Sequence, residues 1–104
     1  MNAVKLTDSE VTQHMSLLPK WELVGATIGR LFEFESFTKS MEFVNQVAEN
    51  ADAVNHHPDI DIRYNKVRLL LTTHDAGGLT LLDMEMAAAA DDIAGVIAQN
   101  GSVH

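Results

Sequence analysis

Segments with the hydrophobic period of a helix alternate along this chain with segments typical of strands. The order of these segments is the feature that most restricts the fold. Apolar residues recur at helical spacing in residues 7–18, 38–55 and 80–100, which is typical of amphipathic helices. Apolar and polar residues alternate in residues 21–37 and 59–64, and residues 67–74 are a mostly apolar run, which together indicate strands. The chain therefore predicts the element order α-β-β-α-β-β-α.

Each strand-forming segment is expected to fold back on itself as a hairpin. Gly25 lies in the first turn region, and Asn65 with Lys66 is expected to form the second turn. Two hairpins and three helices favour an α+β fold, with a four-stranded antiparallel sheet and three helices packed on one face. At 104 residues the chain is expected to form a single domain, residues 1–104.

The same patterns predict which side chains face the core. In the first hairpin, Ile28 and Phe32 fall on one face of the strand. In the second hairpin, we expect Ile60, Ile62 and Tyr64 to form the buried face of the first strand. The core-facing positions predicted for the second helix are Met41, Val44, Val47, Ala48 and Ala51.

Two helix starts and one helix end can be placed from local signals. Thr7 with Glu10 and Thr80 with Asp83 have the spacing of capping boxes at the first and last helices. The second helix is expected to end near Asn55, since proline disfavours helical geometry at the residue before it. The adjacent histidines at 56 and 57 should therefore lie where the helix gives way to extended chain.

Composition excludes several classes of function. The formal charge is −8, from seven basic and fifteen acidic residues, so the chain lacks the basic stripe that nucleic-acid binding requires. There is no cysteine, which excludes disulfides, a thiol nucleophile and cysteine-type zinc sites. The first ten residues lack the apolar core of a signal peptide, and no apolar run is long enough to span a membrane. A cytoplasmic protein is the expectation.

Three histidines are the candidate functional residues. His56 and His57 precede Pro58, and His74 ends the last predicted strand. If that strand pairs with its predecessor, its end returns to Pro58, which would bring His74 near the pair. The alternative is that each histidine is structural or solvated, as we expect for His14 and the terminal His104.

Metal binding and acid–base chemistry are both open to three imidazoles. Three histidines can hold a catalytic zinc, but adjacent residues usually diverge and no HxH or HExxH spacing is present. Acid–base chemistry needs only one imidazole and a carboxylate that fixes its tautomer. Asp52 lies four residues before His56 and would share its face of a continuing helix. Asp83 has either such a role or only the capping role beside Thr80.

The residues in this region resemble the pterin-4a-carbinolamine dehydratase family. The resemblance consists of an acidic residue, a three-residue gap, His-His-Pro, an aromatic residue, Thr-His and a later aspartate. In this sequence these are Asp52, His56-His57-Pro58, Tyr64, Thr73-His74 and Asp83. The tryptophan before the first hairpin and the phenylalanines near residue 34 are also similar to the family, so the resemblance covers nearly the whole chain.

The resemblance implies a hydro-lyase that dehydrates 4a-hydroxytetrahydropterin to quinonoid dihydropterin without a metal or cofactor. It implies that His56, His57 and His74 line the pterin site, with His56 and His74 as the proton-transfer pair. It assigns substrate-binding positions to five further residues: Asp52, Asn55, Thr72, Thr73 and Asp83. Relative to the vertebrate form, Asp52 replaces the commoner Glu and Ile60 stands where an aromatic wall is usual.

The resemblance also bears on partners. It implies a homodimer, with an eight-stranded sheet, or a homotetramer. Vertebrate members act in addition as a dimerisation cofactor of a homeodomain transcription factor, a role that this acidic sequence does not support. The alternative to an enzyme is a non-catalytic oligomeric binding module that modulates a partner protein or another pterin-cofactor pathway. Its expected signature is an exposed apolar patch at Met84, Ala88 and Ile93.

Overall fold

A computed structural model describes residues 3–101 of the chain. The bounds of its helices and strands, in chain order, are α1 Asp8–Met15, β1 Glu22–Val24, β2 Thr27–Glu33, α2 Phe37–Val54, β3 Asp59–Arg63, β4 Lys66–Leu71 and α3 Leu81–Gly101. A single 3₁₀ turn, His74–Ala76, lies between β4 and α3. This order confirms the predicted α-β-β-α-β-β-α arrangement. None of the helices in the described part of the chain is long and apolar enough to cross a membrane.

The four strands form one antiparallel sheet in the order β1-β2-β4-β3. The two hairpins meet where β2 pairs with β4, with Ile28 opposite Leu71 and Phe32 opposite Val67. Residues directly opposite each other in an antiparallel pair point to the same face. The helices therefore cover the face that carries these four side chains, all of which are buried. The α+β fold is confirmed.

The core is built around an aromatic cluster between the sheet and α2. The Phe43 ring lies 4.6 Å from the Phe32 ring and 5.0 Å from the Phe34 ring, measured between centroids. Trp21 packs edge-on against Phe32 at 5.9 Å, and its indole N–H donates to Asp91 in α3. These contacts fix α2 and α3 on the sheet and so fix the position of the α2 carboxyl end.

The buried face of α2 differs from the predicted face. The buried residues are Ser40, Phe43, Val47 and Ala51, whereas Met41 and Val44 are only partly buried and Ala48 is exposed. The prediction was right at Val47 and Ala51 and wrong at Ala48, and it omitted Phe43, whose ring packs beside two other phenylalanines. The buried face of the helix is therefore centred on Phe43, Val47 and Ala51.

The predicted buried face of β3 was also wrong. Ile60 and Ile62 pair with Leu69 and Val67 and point to the helix side, yet they are 37% and 36% exposed. The reason is topological: β3 is the edge strand, where the helix layer does not cover them. Tyr64 does not continue the strand, since with Asn65 it forms the turn between Arg63 and Lys66. The turn is thus one residue earlier than predicted, and Tyr64 takes a positive φ of 55°.

Candidate active site

The carboxyl end of α2 is a sharp corner made by Asn55. This residue adopts left-handed geometry, with φ 52° and ψ 46°, and the backbone N–H of His56 donates to the Ala51 carbonyl at 3.1 Å. Asparagine tolerates this geometry better than most residues. Pro58 then continues in extended chain. After this corner the two histidines lie in different environments: His56 is buried and His57 is exposed.

His56 points into the protein and binds a buried carboxylate. Its Nε2 lies 2.6 Å from Oδ1 of Asp83, and the residue is 9% exposed. A carboxylate only accepts hydrogen bonds, so Nε2 carries the proton of this contact. When the imidazole is neutral, Nδ1 is consequently the basic nitrogen. The contact thus fixes which His56 nitrogen is available to take a proton.

Asp83 receives three donors at the start of α3. Besides the His56 contact at Oδ1, Oδ2 accepts from the Thr73 hydroxyl at 2.8 Å and from the Thr80 backbone N–H at 3.0 Å. Asp83 is 0% exposed. A fully buried carboxylate needs such donors because water does not reach its oxygens. Asp83 therefore has both roles considered from the sequence: it caps α3 beside Thr80 and it orients an imidazole.

His57 makes a second imidazole–carboxylate pair at the surface. Its Nε2 lies 2.9 Å from Oδ1 of Asp52, with the side chains 58% and 80% exposed. The expected pairing of Asp52 with His56 was wrong. It assumed that α2 continues to residue 56, whereas the helix ends at Val54 and the left-handed Asn55 turns His56 toward α3. Asp52 is left beside the next residue, His57.

Asp83 also ties the two parts of the predicted site together. Thr73 and His56 bind opposite oxygens of one carboxylate, so the segment after β4 is held against the end of α2. His74 follows Thr73 and is exposed at the start of the 3₁₀ turn. Among the residues that the structure describes, its side chain has no hydrogen-bond partner.

Two further predicted residues flank this region. The Thr72 hydroxyl donates to the Ala26 carbonyl at 2.6 Å, which anchors the end of β4 to the first hairpin. Asn55 is exposed and its role in the structure is the backbone corner.

A donor set for a metal ion is not formed within residues 3–101, where no three His, Asp or Glu side chains are grouped as an ion requires. Thr80 was predicted only as a helix cap, although its hydroxyl also lies 2.9 Å from the Thr73 hydroxyl that binds Asp83. Its spacing to Asp83 was the available signal, because a cap residue that shares the N3 carboxylate necessarily lies beside that carboxylate.

Fold and site together define a small α+β protein in which one carboxylate orients a buried histidine and a second carboxylate binds its exposed neighbour. The sequence model of the family described as Pterin 4 alpha carbinolamine dehydratase matches residues 4–93. The chain belongs to this family, whose name describes a dehydratase, a hydro-lyase.

Relatives from distant organisms support the assignment over most of the chain. A protein of Acidobacterium capsulatum is 53% identical over 85 residues, covering 82% of this chain and 92% of that protein. One of Picosynechococcus is 47% identical, covering 88% and 99%. One of Sulfurisphaera tokodaii is 45% identical, covering 86% and 96%. All three are provisionally named pterin-4-alpha-carbinolamine dehydratases.

Solved structures show the same fold. A crystal structure from Brucella melitensis, described as a transcriptional coactivator/pterin dehydratase, gives a TM-score of 0.84 at 36% identity and covers 86% of this chain and 98% of that chain. A pterin dehydratase-like protein described as a RuBisCO assembly factor in the alpha-carboxysome gives a TM-score of 0.61 at 21% identity, covering 72% and 87%. The second comparison shows a shared fold alone.

Proposed function

We propose that the chain eliminates water from the 4a-carbinolamine of a tetrahydropterin to give quinonoid dihydropterin, by histidine acid–base catalysis. Family membership supports the reaction class. The observation that carries the mechanism is the buried His56–Asp83 contact at 2.6 Å, joined through Thr73 to the segment that bears His74. That arrangement holds the neutral imidazole in one tautomer with Nδ1 unprotonated, and an unprotonated nitrogen is what a general base needs.

The reaction needs one proton removed and one supplied. The N5–H proton of the carbinolamine goes to a base, and the electron pair forms the C4a=N5 double bond. The C4a–O bond breaks as an acid donates a proton to the departing hydroxyl, which leaves as water. One proton is taken up and one released, so the enzyme ends in the same net protonation state.

We assign His56 and His74 as the proton-transfer pair and His57 as the residue that binds and polarises the pterin. Nδ1 of His56 is the basic nitrogen in the neutral imidazole. His74 is exposed and its side chain has no hydrogen-bond partner among the described residues, which leaves it available to exchange a proton with substrate. Asp52 orients His57 through the 2.9 Å contact, and the backbone near Thr72 and Thr73 contacts the pterin edge.

Asp83 was expected to bind substrate, but its position supports a different role. It is 0% exposed and both of its oxygens are engaged by protein donors. We therefore propose that Asp83 positions His56 and does not touch the pterin. The same holds for the Thr73 hydroxyl, which points to Asp83 and is unavailable to substrate.

The assay is the decay of the 4a-adduct, generated by an aromatic amino acid hydroxylase and followed by absorbance. Wild-type protein should accelerate the decay well above the rate in buffer. His74→Ala should lower that acceleration on the order of 10²-fold, the loss typical of a missing acid–base group. An unaccelerated decay with folded wild-type protein would refute the dehydratase proposal, and full activity of His74→Ala would refute the role of His74.

The alternative of a non-catalytic binding module is not favoured. Of the three residues of its expected apolar patch, Met84 is 4% exposed and belongs to the core, Ile93 is partly buried, and Ala88 alone is exposed. A homodimer or homotetramer remains part of the proposal, as does a cytoplasmic location. The exposed edge of β3, with Ile60 and Ile62 partly uncovered, supports pairing with a second copy. Sedimentation equilibrium tests this, and a monomer at micromolar concentration would contradict it.

A further inference from the structure

Thr80 is fully buried at the start of α3, and its hydroxyl is linked to the Asp83 carboxylate through the hydroxyl of Thr73. Thr80 Oγ1 is 2.9 Å from Thr73 Oγ1, and it also accepts from the backbone N–H of Leu82 at 3.2 Å. Thr73 Oγ1 in turn lies 2.8 Å from Oδ2 of Asp83. The hydroxyls of Thr80 and Thr73 therefore link the backbone N–H of Leu82 to the Asp83 carboxylate.

The direction of these hydrogen bonds follows from proton counting. A carboxylate oxygen accepts, so the one hydroxyl proton of Thr73 is donated to Asp83. Thr73 Oγ1 must then accept in its contact with Thr80, and the Thr80 hydroxyl proton is the donor. Thr80 Oγ1 completes its set by accepting from Leu82. The chain of donors thus runs from the Leu82 N–H through Thr80 and Thr73 to Asp83 and ends opposite His56.

We propose that Thr80 is a positioning residue for the dehydration and acts through Thr73 on Asp83. The inference rests on the proposed function and extends it to a residue without contact to substrate. Aligned hydrogen bonds polarise one another, so donation by Thr80 makes the Thr73 hydroxyl a stronger donor to Oδ2. Strong donation at Oδ2 holds the carboxylate in place and leaves a defined share of its charge at Oδ1 for His56.

The first test is spectroscopic and needs no substrate. In Thr80→Val the hydroxyl is lost at nearly constant volume, while the Thr80 backbone N–H still binds Oδ2. The Thr73 donation weakens, more negative charge stays at Oδ1, and the His56 Nε2–H proton resonance should move downfield. Thr73→Val should move it further in the same direction. The double variant should equal Thr73→Val alone, because Thr80 has no other route to Asp83 through its side chain.

The second test is kinetic. Thr80→Val should lower kcat about 3- to 10-fold with KM little changed, in line with the loss of one net hydrogen bond. Thr80→Ser keeps the hydroxyl and should restore both kcat and the His56 resonance. Ser40→Ala is the matched control: Ser40 is equally buried, but its hydroxyl donates to the Ser36 carbonyl in α2. This control should lower the melting temperature and leave kcat and the resonance unchanged.

The inference is overturned if Thr80→Val lowers stability but leaves kcat and the His56 resonance at their wild-type values. It is also overturned if the two valine variants shift the resonance additively. A wild-type protein without dehydratase activity would refute the proposed function, yet the resonance would still test the hydroxyl chain.

If Thr80→Val does not fold, the wild-type protein decides. Its Thr80 hydroxyl proton should exchange slowly and show a cross-peak to Thr73, and exchange as fast as that of the exposed Thr12 hydroxyl would overturn the inference.

Discussion

Replacing Asp83 with asparagine is expected to reverse the tautomer of His56. The backbone N–H of Thr80 can only donate, so the amide oxygen of the new side chain must take the place of Oδ2. The amide NH₂ then faces Nε2 of His56, 2.6 Å away in the wild type. Two donors cannot share that contact, and His56 must accept at Nε2 and carry its proton on Nδ1. The nitrogen assigned as the base is thereby lost.

The magnitude follows from the three donors to Asp83. A hydrogen bond to a charged group contributes about 1 kcal/mol more than its neutral counterpart, so three weakened bonds predict a loss of roughly 2–3 kcal/mol in the free energy of unfolding. That loss is smaller than the roughly 5–15 kcal/mol stability of a typical domain, so the variant should remain folded. The rate of adduct decay should fall on the order of 10²-fold or more.

Three measurements check this prediction. Urea denaturation gives the stability loss, long-range ¹H–¹⁵N correlation spectra give the His56 tautomer, and adduct decay gives the rate. A folded Asp83→Asn protein that keeps the Nε2–H tautomer would refute the argument, as would one that decays the adduct within about threefold of the wild-type rate.

Three other substitutions test the remaining parts of the account. Asp52→Asn should change stability by less than about 0.5 kcal/mol and the adduct-decay rate by less than about 10-fold, because the Asp52–His57 pair is solvent-exposed. A loss of activity equal to that of Asp83→Asn would contradict this expectation. Hydrogen bonds from the Thr7 backbone and hydroxyl lower the pKa of Glu10 below its usual 4.5, so its charged form stabilises the fold above that pH. The stability difference between wild type and Glu10→Gln should therefore be present at pH 7 and disappear in urea titrations as the pH falls through the folded-state pKa; an equal difference at both ends of this range would count against it. Phe43→Ala should cost about 3–5 kcal/mol in urea denaturation, since the ring is 0% exposed among other phenylalanines; a cost below about 1 kcal/mol would mean that the cluster is not the core.

The element order and sheet were predictable from sequence because local signals determine them. The Thr7–Glu10 capping box forms as expected, with reciprocal bonds of 2.9 and 3.1 Å. The alternation in β2 places Ile28 and Phe32 on its buried face, as expected. These features depend on neighbours in the chain and need no knowledge of the tertiary packing.

The errors arose where tertiary position decides. Ile60 and Ile62 have the right alternation for burial, but the strand order that leaves β3 at the sheet edge cannot be read from β3 itself. The burial of Phe43 in α2 depends on ring contacts with Phe32 and Phe34, which belong to another part of the sequence. Periodicity identifies an apolar face only to within about one position when the flanking residues are also apolar.

The site residues remain a prediction, and one expected contact among them, Asp52 with His56, was wrong. The motif identified His56, Asp52 and Asp83, but the partner of each imidazole depends on where α2 ends. Because Asn55 ends α2 in left-handed geometry, His56 turns away from Asp52. It contacts Asp83 instead, 27 positions away in the sequence. Pro58 predicted where the helix ends but did not predict the direction in which the chain leaves it.

The most direct test of the central claim is the rate of 4a-adduct decay with His56→Ala, measured beside His14→Ala. His14 lies in α1 and has no part in the proposed chemistry. We predict that His56→Ala, folded by circular dichroism, loses on the order of 10²-fold or more of the acceleration while His14→Ala retains it. Adduct decay at the wild-type rate with His56→Ala would contradict the account.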